Sequence, residues 1–179
     1  MTLTLVTGPA RSGKSEWAEA LAAQAHQPVV YLATARALPE DAEWSDRLQR
    51  HRDRRPPDWR TLEVPTALAQ ALDAALVNEC WLVDSLGTWV ANLLEQDEDC
   101  WEATTAALIA SLQATPAALI LVAEETGWGV VPAYPLGRRF RDRLGRLTRQ
   151  VGAIAPTVYL VTGGYALNLV ELGTPLPPP

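Results

Sequence analysis

Residues 8 to 15 have the types and spacing needed to bind phosphate groups. They read Gly-Pro-Ala-Arg-Ser-Gly-Lys-Ser and lie between an apolar run, 3–7, and an amphipathic stretch, 16–24. This is the P-loop pattern G-x-x-x-x-G-K-[ST] in strand–loop–helix order. Its glycines let backbone N–H groups face phosphate oxygens, and the helix that follows adds the positive end of its dipole. The pattern predicts a nucleotide site formed by Gly8, Pro9, Ala10, Arg11, Ser12, Gly13, Lys14 and Ser15.

Lys14 and Ser15 are expected to carry the chemistry of this loop. The chain has 15 basic residues, and Lys14 is its only lysine, at a position where a planar guanidinium would not substitute. Its ammonium can reach the β- and γ-phosphates, which predicts a catalytic role, and the Ser15 hydroxyl can ligate Mg²⁺. The alternative is a chance match in a glycine-containing loop, expected in well under ~1% of chains this long.

Asp84 is the second candidate ligand of Mg²⁺. It ends the apolar run Trp81-Leu82-Val83, the position of a Walker B carboxylate that holds the ion directly or through water. An apolar run followed by aspartate is a weak pattern by itself, and an ordinary strand-end aspartate is the alternative. Beside a P-loop, we interpret Asp84 as part of the metal site.

His51 lies in the basic segment Arg-His-Arg-Asp-Arg-Arg-Pro that covers residues 50–56. On these residues alone, a solvated histidine on a charged helix face explains the pattern. The other interpretation is a nucleophile, because a neutral imidazole is available near pH 7 and the flanking arginines would neutralise phosphates. The residues leave both interpretations open.

A second arginine cluster, 138–149, holds six arginines on one predicted helix with a single acid, Asp142. Residues three and four apart share a helix face, so Arg139, Arg143 and Arg146 can line up. The pattern leaves two roles open for these arginines: they contact a phosphate or another subunit, or they form a solvated helix face. We expect this helix to be too charged to bury in a monomer core, which favours a homo-oligomer.

The composition limits the class of protein. A chain of 179 residues, 48% hydrophobic and 20% charged, fits one globular domain. A net charge of −6 argues against nucleic-acid binding, and no apolar run approaches the ~20 residues of a membrane span. Cys80 and Cys100 are too few for a disulfide framework or a zinc site, and no basic leader precedes the first strand. We therefore expect a cytoplasmic protein.

Apolar runs alternate with amphipathic stretches along the chain. Strands are predicted at 3–7, 29–33, 59–64, 81–85, 118–123 and 157–162, with a further edge after 164, and helices at 14–25, 40–54, 66–77, 88–94, 101–114 and 136–154, with an acidic break at 96–99. This order predicts an α/β P-loop NTPase (RecA-like) fold, with a mostly parallel sheet flanked by helices and the ligand at the carboxyl ends of the strands. One domain should cover 1–174, and the proline-rich tail, 175–179, should be frayed.

Several segments together resemble one enzyme family. They read TGPARSGKS (7–15), YLATA (31–35), RLQRHRDRRPPDWRTLE (47–63), DSLGTWVANLL (84–94), ETGWGVVP (125–132) and LGRRFRDRLG (136–145). In this order they are similar to the bifunctional adenosylcobinamide kinases/adenosylcobinamide-phosphate guanylyltransferases of cobalamin biosynthesis. The resemblance spans nearly the whole chain. It implies a P-loop fold that is usually assembled as a homotrimer.

The resemblance also implies two reactions and a set of site residues. The first reaction phosphorylates the aminopropanol hydroxyl of adenosylcobinamide, and the second transfers GMP from GTP through a guanylylated histidine, which matches His51. By the same matching, the guanine nucleotide should contact Ala33, Thr34, Ala35, Arg52, Asp53, Arg54, Arg55, Glu63 and Asp84. The expected cofactor is Mg²⁺, with GTP, ATP or both as nucleotide substrates.

Two departures from the family pattern stand in this chain. Glu124 replaces an asparagine that is common in the family, and Thr148-Arg149 replaces an Asn-Gln pair. A P-loop small-molecule kinase without the guanylyl step is the alternative enzyme. The non-enzymatic alternative is a nucleotide-gated RecA-like assembly or a DNA-associated switch. The net charge of −6 speaks against the switch.

Overall fold

A computed structural model describes residues 2–37 and 40–177, apart from the side chain of Arg47. In this described part the strands are β1 Thr2–Gly8, β2 Val29–Ala33, β3 Arg60–Glu63, β4 Cys80–Asp84, β5 Ala118–Glu124, β6 Thr157–Thr162 and β7 Tyr165–Asn168. The helices are α1 Lys14–Gln24, α2 Ala42–Asp53, α3 Leu68–Leu72, α4 Leu86–Asn92, α5 Glu98–Ala114, α6 Pro135–Ile154 and α7 Leu169–Leu172.

All these strands form one sheet in the order β3-β2-β4-β5-β1-β6-β7. Every neighbouring pair is parallel except β6 and β7, which form an antiparallel edge. The strand β5 separates β1, which leads into the P-loop, from β4, which ends at Asp84. The predicted α/β P-loop NTPase fold with a mostly parallel sheet is confirmed.

The strands β1, β2, β4 and β5 are buried on both faces of the sheet, as their continuous apolar runs predict. In β4, Trp81 and Val83 belong to the larger apolar cluster, which packs against α3 to α6. Cys80 and Leu82 point the other way, into the smaller cluster against α1. This alternation with a period of two fixes the register of β4 and places Asp84 at the carboxyl end of the sheet.

Among the helix boundaries that differ from the sequence prediction, two have clear local reasons. The helix expected over 66–77 ends at Leu72, because Glu79 accepts hydrogen bonds from the Leu76 N–H and from the Trp81 indole and so stabilises a turn. The break predicted at 96–99 lies at 93–97, because the Asp97 side chain accepts from Cys100 N and so begins α5 at Glu98. Residues 175–177 are described and exposed, whereas 178 and 179 lie outside the described residues, so the frayed tail stays a prediction.

The arginine-rich helix α6 corrects one expectation, because Arg143 is buried within a single chain. Its guanidinium donates to the carbonyl oxygens of Leu93, Gln96 and Asp97, at 3.3, 2.8 and 3.3 Å. It also lies 4.8 Å from the centre of the Trp101 ring. These contacts close the connection between α4 and α5. The expectation that this helix is too charged to pack in a monomer core is therefore wrong for the face that carries Arg143.

Arg143→Ala is expected to lower the free energy of unfolding by about 2–4 kcal/mol, because several buried carbonyls lose their donor. Arg141→Ala on the same helix is the control, since the contact of Arg141 with the exposed Asp142 should contribute no more than about 0.5 kcal/mol. Urea unfolding of both variants measures the difference. Equal losses would contradict a structural role for Arg143.

Candidate active site

The P-loop connects β1 to α1 in a conformation suited to an anion. Gly13 caps α1 with a φ of 91°, which favours glycine, and Arg11 also has a positive φ of 58°. A side chain at Gly8 would place its Cβ 2.3 Å from the carbonyl oxygen of Val161, so the close approach of the backbone requires glycine. Lys14 is buried, and its ammonium donates to the Pro9 carbonyl oxygen across the loop.

Asp84 lies beside the start of α1, at the carboxyl end of β4. Ser15 Oγ donates to Asp84 Oδ1 at 3.4 Å, and Tyr31 Oη donates to Oδ2 at 2.7 Å. Burial opposes the ionisation of Asp84, but His51 and these two hydroxyls together hold its pKa below the ordinary value. Asp84 is therefore a carboxylate, and the two predicted metal ligands lie side by side.

The helix α2 brings His51 to the same place. Nδ1 of His51 lies 3.7 Å from Asp84 Oδ2, and the His51 side chain is about one quarter exposed. The spacing of Trp44, Leu48 and His51 puts all three on the face of α2 that lines a cavity at the strand ends. This position favours the nucleophile interpretation over a solvated histidine.

Three arginines after His51 have different partners. Arg54 donates to Glu16 Oε1 at 2.5 Å and to Glu19 Oε1 at 3.1 Å, both on α1. Arg52 pairs with Glu63 at 3.0 Å, and the Arg55 guanidinium lies 3.6 Å from the centre of the Tyr31 ring. The basic segment thus contacts α1, the end of β3 and the middle of β2.

Glu124, one of the departures from the family pattern, lies in the site. It accepts from Ser85 Oγ at 2.6 Å and from Gly87 N at 2.9 Å, at the start of α4. Burial raises the pKa of Glu124 above its ordinary value, although the hydrogen bond from Ser85 and the ammonium of Lys14 oppose this shift. A Cβ at Gly87 would lie 2.0 Å from a Glu124 carboxylate oxygen, so the glycine makes room for this contact.

Two spaces are each lined in part by Lys14, Ser15 and His51. One is a small cavity of about 70 Å³ between α2 and the ends of β2 and β4. The other is an open cleft of about 590 Å³ over the P-loop. P-loop residues and His51 therefore line the same open cleft.

The structure brings most of the predicted site residues to these two spaces. Those that line them are Arg11, Ser12, Gly13, Lys14, Ser15, Ala33, Ala35, His51, Arg52, Arg54, Arg55, Glu63 and Asp84. Gly8, Pro9, Ala10, Thr34 and Asp53 are not among the described lining residues. Thr34 is buried and accepts from Ser85 N, and Asp53 is exposed and accepts from Gln49.

Sequence reasoning missed four residues that shape the site, Glu16, Glu19, Tyr31 and Ser85. Tyr31 was part of an apolar run, and its hydroxyl contact with Asp84 depends on the pairing of β2 with β4. The signal for Ser85 was the spacing S-x-x-T before a helical stretch, since Ser85 and Thr88 form a capping box on α4.

A family model described as cobinamide kinase/cobinamide phosphate guanyltransferase matches residues 4–169. The chain belongs to this family. A relative named bifunctional adenosylcobalamin biosynthesis protein CobU, from Escherichia coli, is 40% identical over 93% of this chain and 99% of its own. Another, CobP from Pseudomonas aeruginosa, is 42% identical over 92% of this chain and 95% of its own. As a member of this family, the chain is a P-loop transferase.

Among solved structures, the flagellar accessory protein FlaH from Methanocaldococcus jannaschii is 14% identical, with a TM-score of 0.48. That match covers 93% of this chain and 75% of the other. Within the described residues, no helix has the length and apolar character needed to cross a membrane.

Proposed function

We propose that this enzyme phosphorylates the aminopropanol hydroxyl of adenosylcobinamide and then transfers GMP from GTP to the new phosphate, giving adenosylcobinamide-GDP. The names of the relatives and of the family model support both activities. The observation that carries the proposal is that Lys14 and His51 face one cleft. A phosphate-binding cation and a candidate nucleophile can therefore act on nucleotides bound at one place.

In the kinase step the protein positions the nucleotide and stabilises charge. Backbone N–H groups of the P-loop and the Lys14 ammonium bind the β- and γ-phosphates of ATP or GTP. Negative charge grows on the transferring phosphoryl group, and a preorganised ammonium stabilises it more strongly in a buried site than in water. Lys14 is buried, as this role needs.

In the guanylyl step the His51 imidazole attacks the α-phosphorus of GTP. A P–N bond forms, the bond from the α-phosphorus to the bridging oxygen breaks, and pyrophosphate leaves. Arg52, Arg54 and Arg55 would neutralise the triphosphate and the leaving pyrophosphate. The phosphate of the corrinoid then displaces the histidine and takes GMP. The P–N bond is labile enough for this second transfer.

Mg²⁺ fits the oxygen ligands at the start of α1. Ser15 Oγ and Asp84 Oδ1 are 3.4 Å apart, and the lowered pKa of Asp84 provides the anionic oxygen that this hard cation prefers. These two residues would hold the ion, directly or through water. When bound, the ion would neutralise charge on the phosphate oxygens of the nucleotide.

We propose a cytoplasmic homotrimer on the basis of the family resemblance. The segment after β5 exposes large apolar side chains that association would cover: Trp128 at 62%, Val130 at 95%, Val131 at 56% and Tyr134 at 79%. Exposed apolar surface of this kind is typical of an interaction site. Light scattering that shows a stable monomer at micromolar concentration would contradict the trimer.

Product analysis tests the two-step function and separates it from a simple kinase. With adenosylcobinamide and ATP, the purified protein is expected to accumulate the corrinoid phosphate and stop there. After GTP is added, the phosphate should convert to the GDP derivative with release of one pyrophosphate per product. A corrinoid phosphate that persists with GTP would leave only the kinase alternative.

A further inference from the structure

The Nδ1 atom of His51 faces two partners with opposite requirements. Arg54 Nη2 lies 3.4 Å away and can only donate, because an arginine guanidinium stays protonated in proteins. Asp84 Oδ2 lies 3.7 Å away and, as a carboxylate, can only accept. One ring nitrogen of a neutral imidazole cannot satisfy both. The partner that contacts Nδ1 therefore decides which nitrogen carries the proton.

The choice of partner controls nucleophilicity. With Arg54 on Nδ1, the proton sits on Nε2, so neither nitrogen offers a free lone pair to a substrate. With Asp84 on Nδ1, the proton sits on Nδ1 and the Nε2 lone pair is free. The carboxylate would also stabilise the positive charge that develops on the ring as a bond to phosphorus forms.

Arg54 is held on the imidazole side by α1. Glu16 and Glu19 accept from Nη1 and Nη2, at 2.5 and 3.1 Å. Glu19 is the more buried of the two, with 15% of its side chain exposed against 58% for Glu16. Both carboxylates follow the P-loop on the first two turns of α1, and Arg54, Glu16 and the P-loop line the same cleft. The phosphates of a nucleoside triphosphate bound there would compete with Glu16 and Glu19 for the Arg54 guanidinium.

We propose that Glu16 and Glu19 are positioning residues that hold Arg54 on His51 in the nucleotide-free enzyme, and that the triphosphate of GTP takes Arg54 away. The proton on Nε2 is then lost to water and Nδ1 takes one up from water, so that Nδ1 donates to Asp84. The free Nε2 lone pair attacks the α-phosphorus, and pyrophosphate leaves. The nucleophile is thus exposed when its substrate is bound and covered when it is not. This inference rests on the guanylyl-histidine step proposed above.

The first test measures covalent labelling by α-labelled GTP at rising GTP concentration. The double variant Glu16→Gln/Glu19→Gln is expected to reach half-maximal labelling at roughly fivefold lower GTP concentration than the wild-type protein, with a similar maximal rate. The reason is that the partly exposed Glu16 and Glu19 carboxylates no longer compete with GTP for Arg54. Glu19→Gln alone should shift in the same direction, and Glu19→Asp should restore most of the wild-type value. Glu43→Gln, which removes an equal charge from the same cleft, is the control for net charge. Equal shifts in Glu19→Gln and Glu43→Gln would overturn the proposal.

The second test reads the tautomer of His51 by nitrogen-15 NMR of the imidazole rings at alkaline pH. The chain has two histidines, so a His26→Asn variant assigns the spectrum. The nucleotide-free protein is expected to carry the proton on Nε2, and a GTP analogue with a methylene bridge between the α- and β-phosphates should move it to Nδ1. A proton on Nδ1 in both states would overturn the proposal. This readout does not need labelling, so absence of label from the wild-type protein would count against the guanylyl-histidine step alone.

Discussion

Lys14→Ala is expected to lower phosphoryl transfer by at least about a hundredfold while the protein stays folded. Lys14 is the single lysine of the chain, and it is buried. Its ammonium lies where negative charge must be stabilised. In the part of the chain that the structure describes, this ammonium donates to the Pro9 carbonyl oxygen, and loss of that hydrogen bond should change the free energy of unfolding by less than about 1 kcal/mol. Kinase assays and urea unfolding measure the two effects separately.

Lys14→Arg is the matched control for charge. A planar guanidinium keeps the charge but cannot occupy the position of a compact ammonium in this loop, so it should restore little of the activity. The P-loop interpretation is wrong if a folded Lys14→Ala protein keeps the wild-type kinase rate.

His51→Ala is expected to abolish guanylyl transfer and to keep substantial kinase activity. The imidazole would supply the bond to the α-phosphorus, whereas the kinase step depends on the P-loop and its lysine. The corrinoid phosphate should therefore accumulate with this variant even when GTP is present. The two activities are measured by separate product assays on one protein preparation.

His26→Asn is the control for His51→Ala. His26 has a positive φ of 52°, and asparagine tolerates this backbone conformation better than most residues. The variant should keep both activities. Guanylyl transfer that survives in His51→Ala would require another nucleophile.

The centre of the sheet could be predicted from the sequence, because β1, β2, β4 and β5 are buried on both faces and read as continuous apolar runs. The boundaries that differed depend on single side chains. Glu79 ends the α3 region early by accepting from the Leu76 backbone, and Asp97 begins α5 by capping it. The hydrophobic periodicity of the sequence does not reveal such carboxylates, since their effect depends on which backbone N–H lies within reach.

In the site, the residues of local motifs could be predicted and the pairs made by folding could not. The P-loop is contiguous, and Asp84 follows directly from its strand. The contact of Arg54 with Glu19 joins positions 35 residues apart, and that of Tyr31 with Asp84 joins positions 53 apart. For His51 the residues left two interpretations open. The family resemblance favoured the nucleophile, and the folded position beside Asp84 supports it.

The most direct test of the proposed mechanism is to incubate the wild-type protein with α-labelled GTP and to map the label by mass spectrometry. A phosphoramidate hydrolyses in acid and survives alkali. The account predicts one GMP on the peptide that contains His51, lost at low pH and kept at high pH. A folded, kinase-active protein that carries no GMP, or carries it on a residue other than His51, would contradict the account.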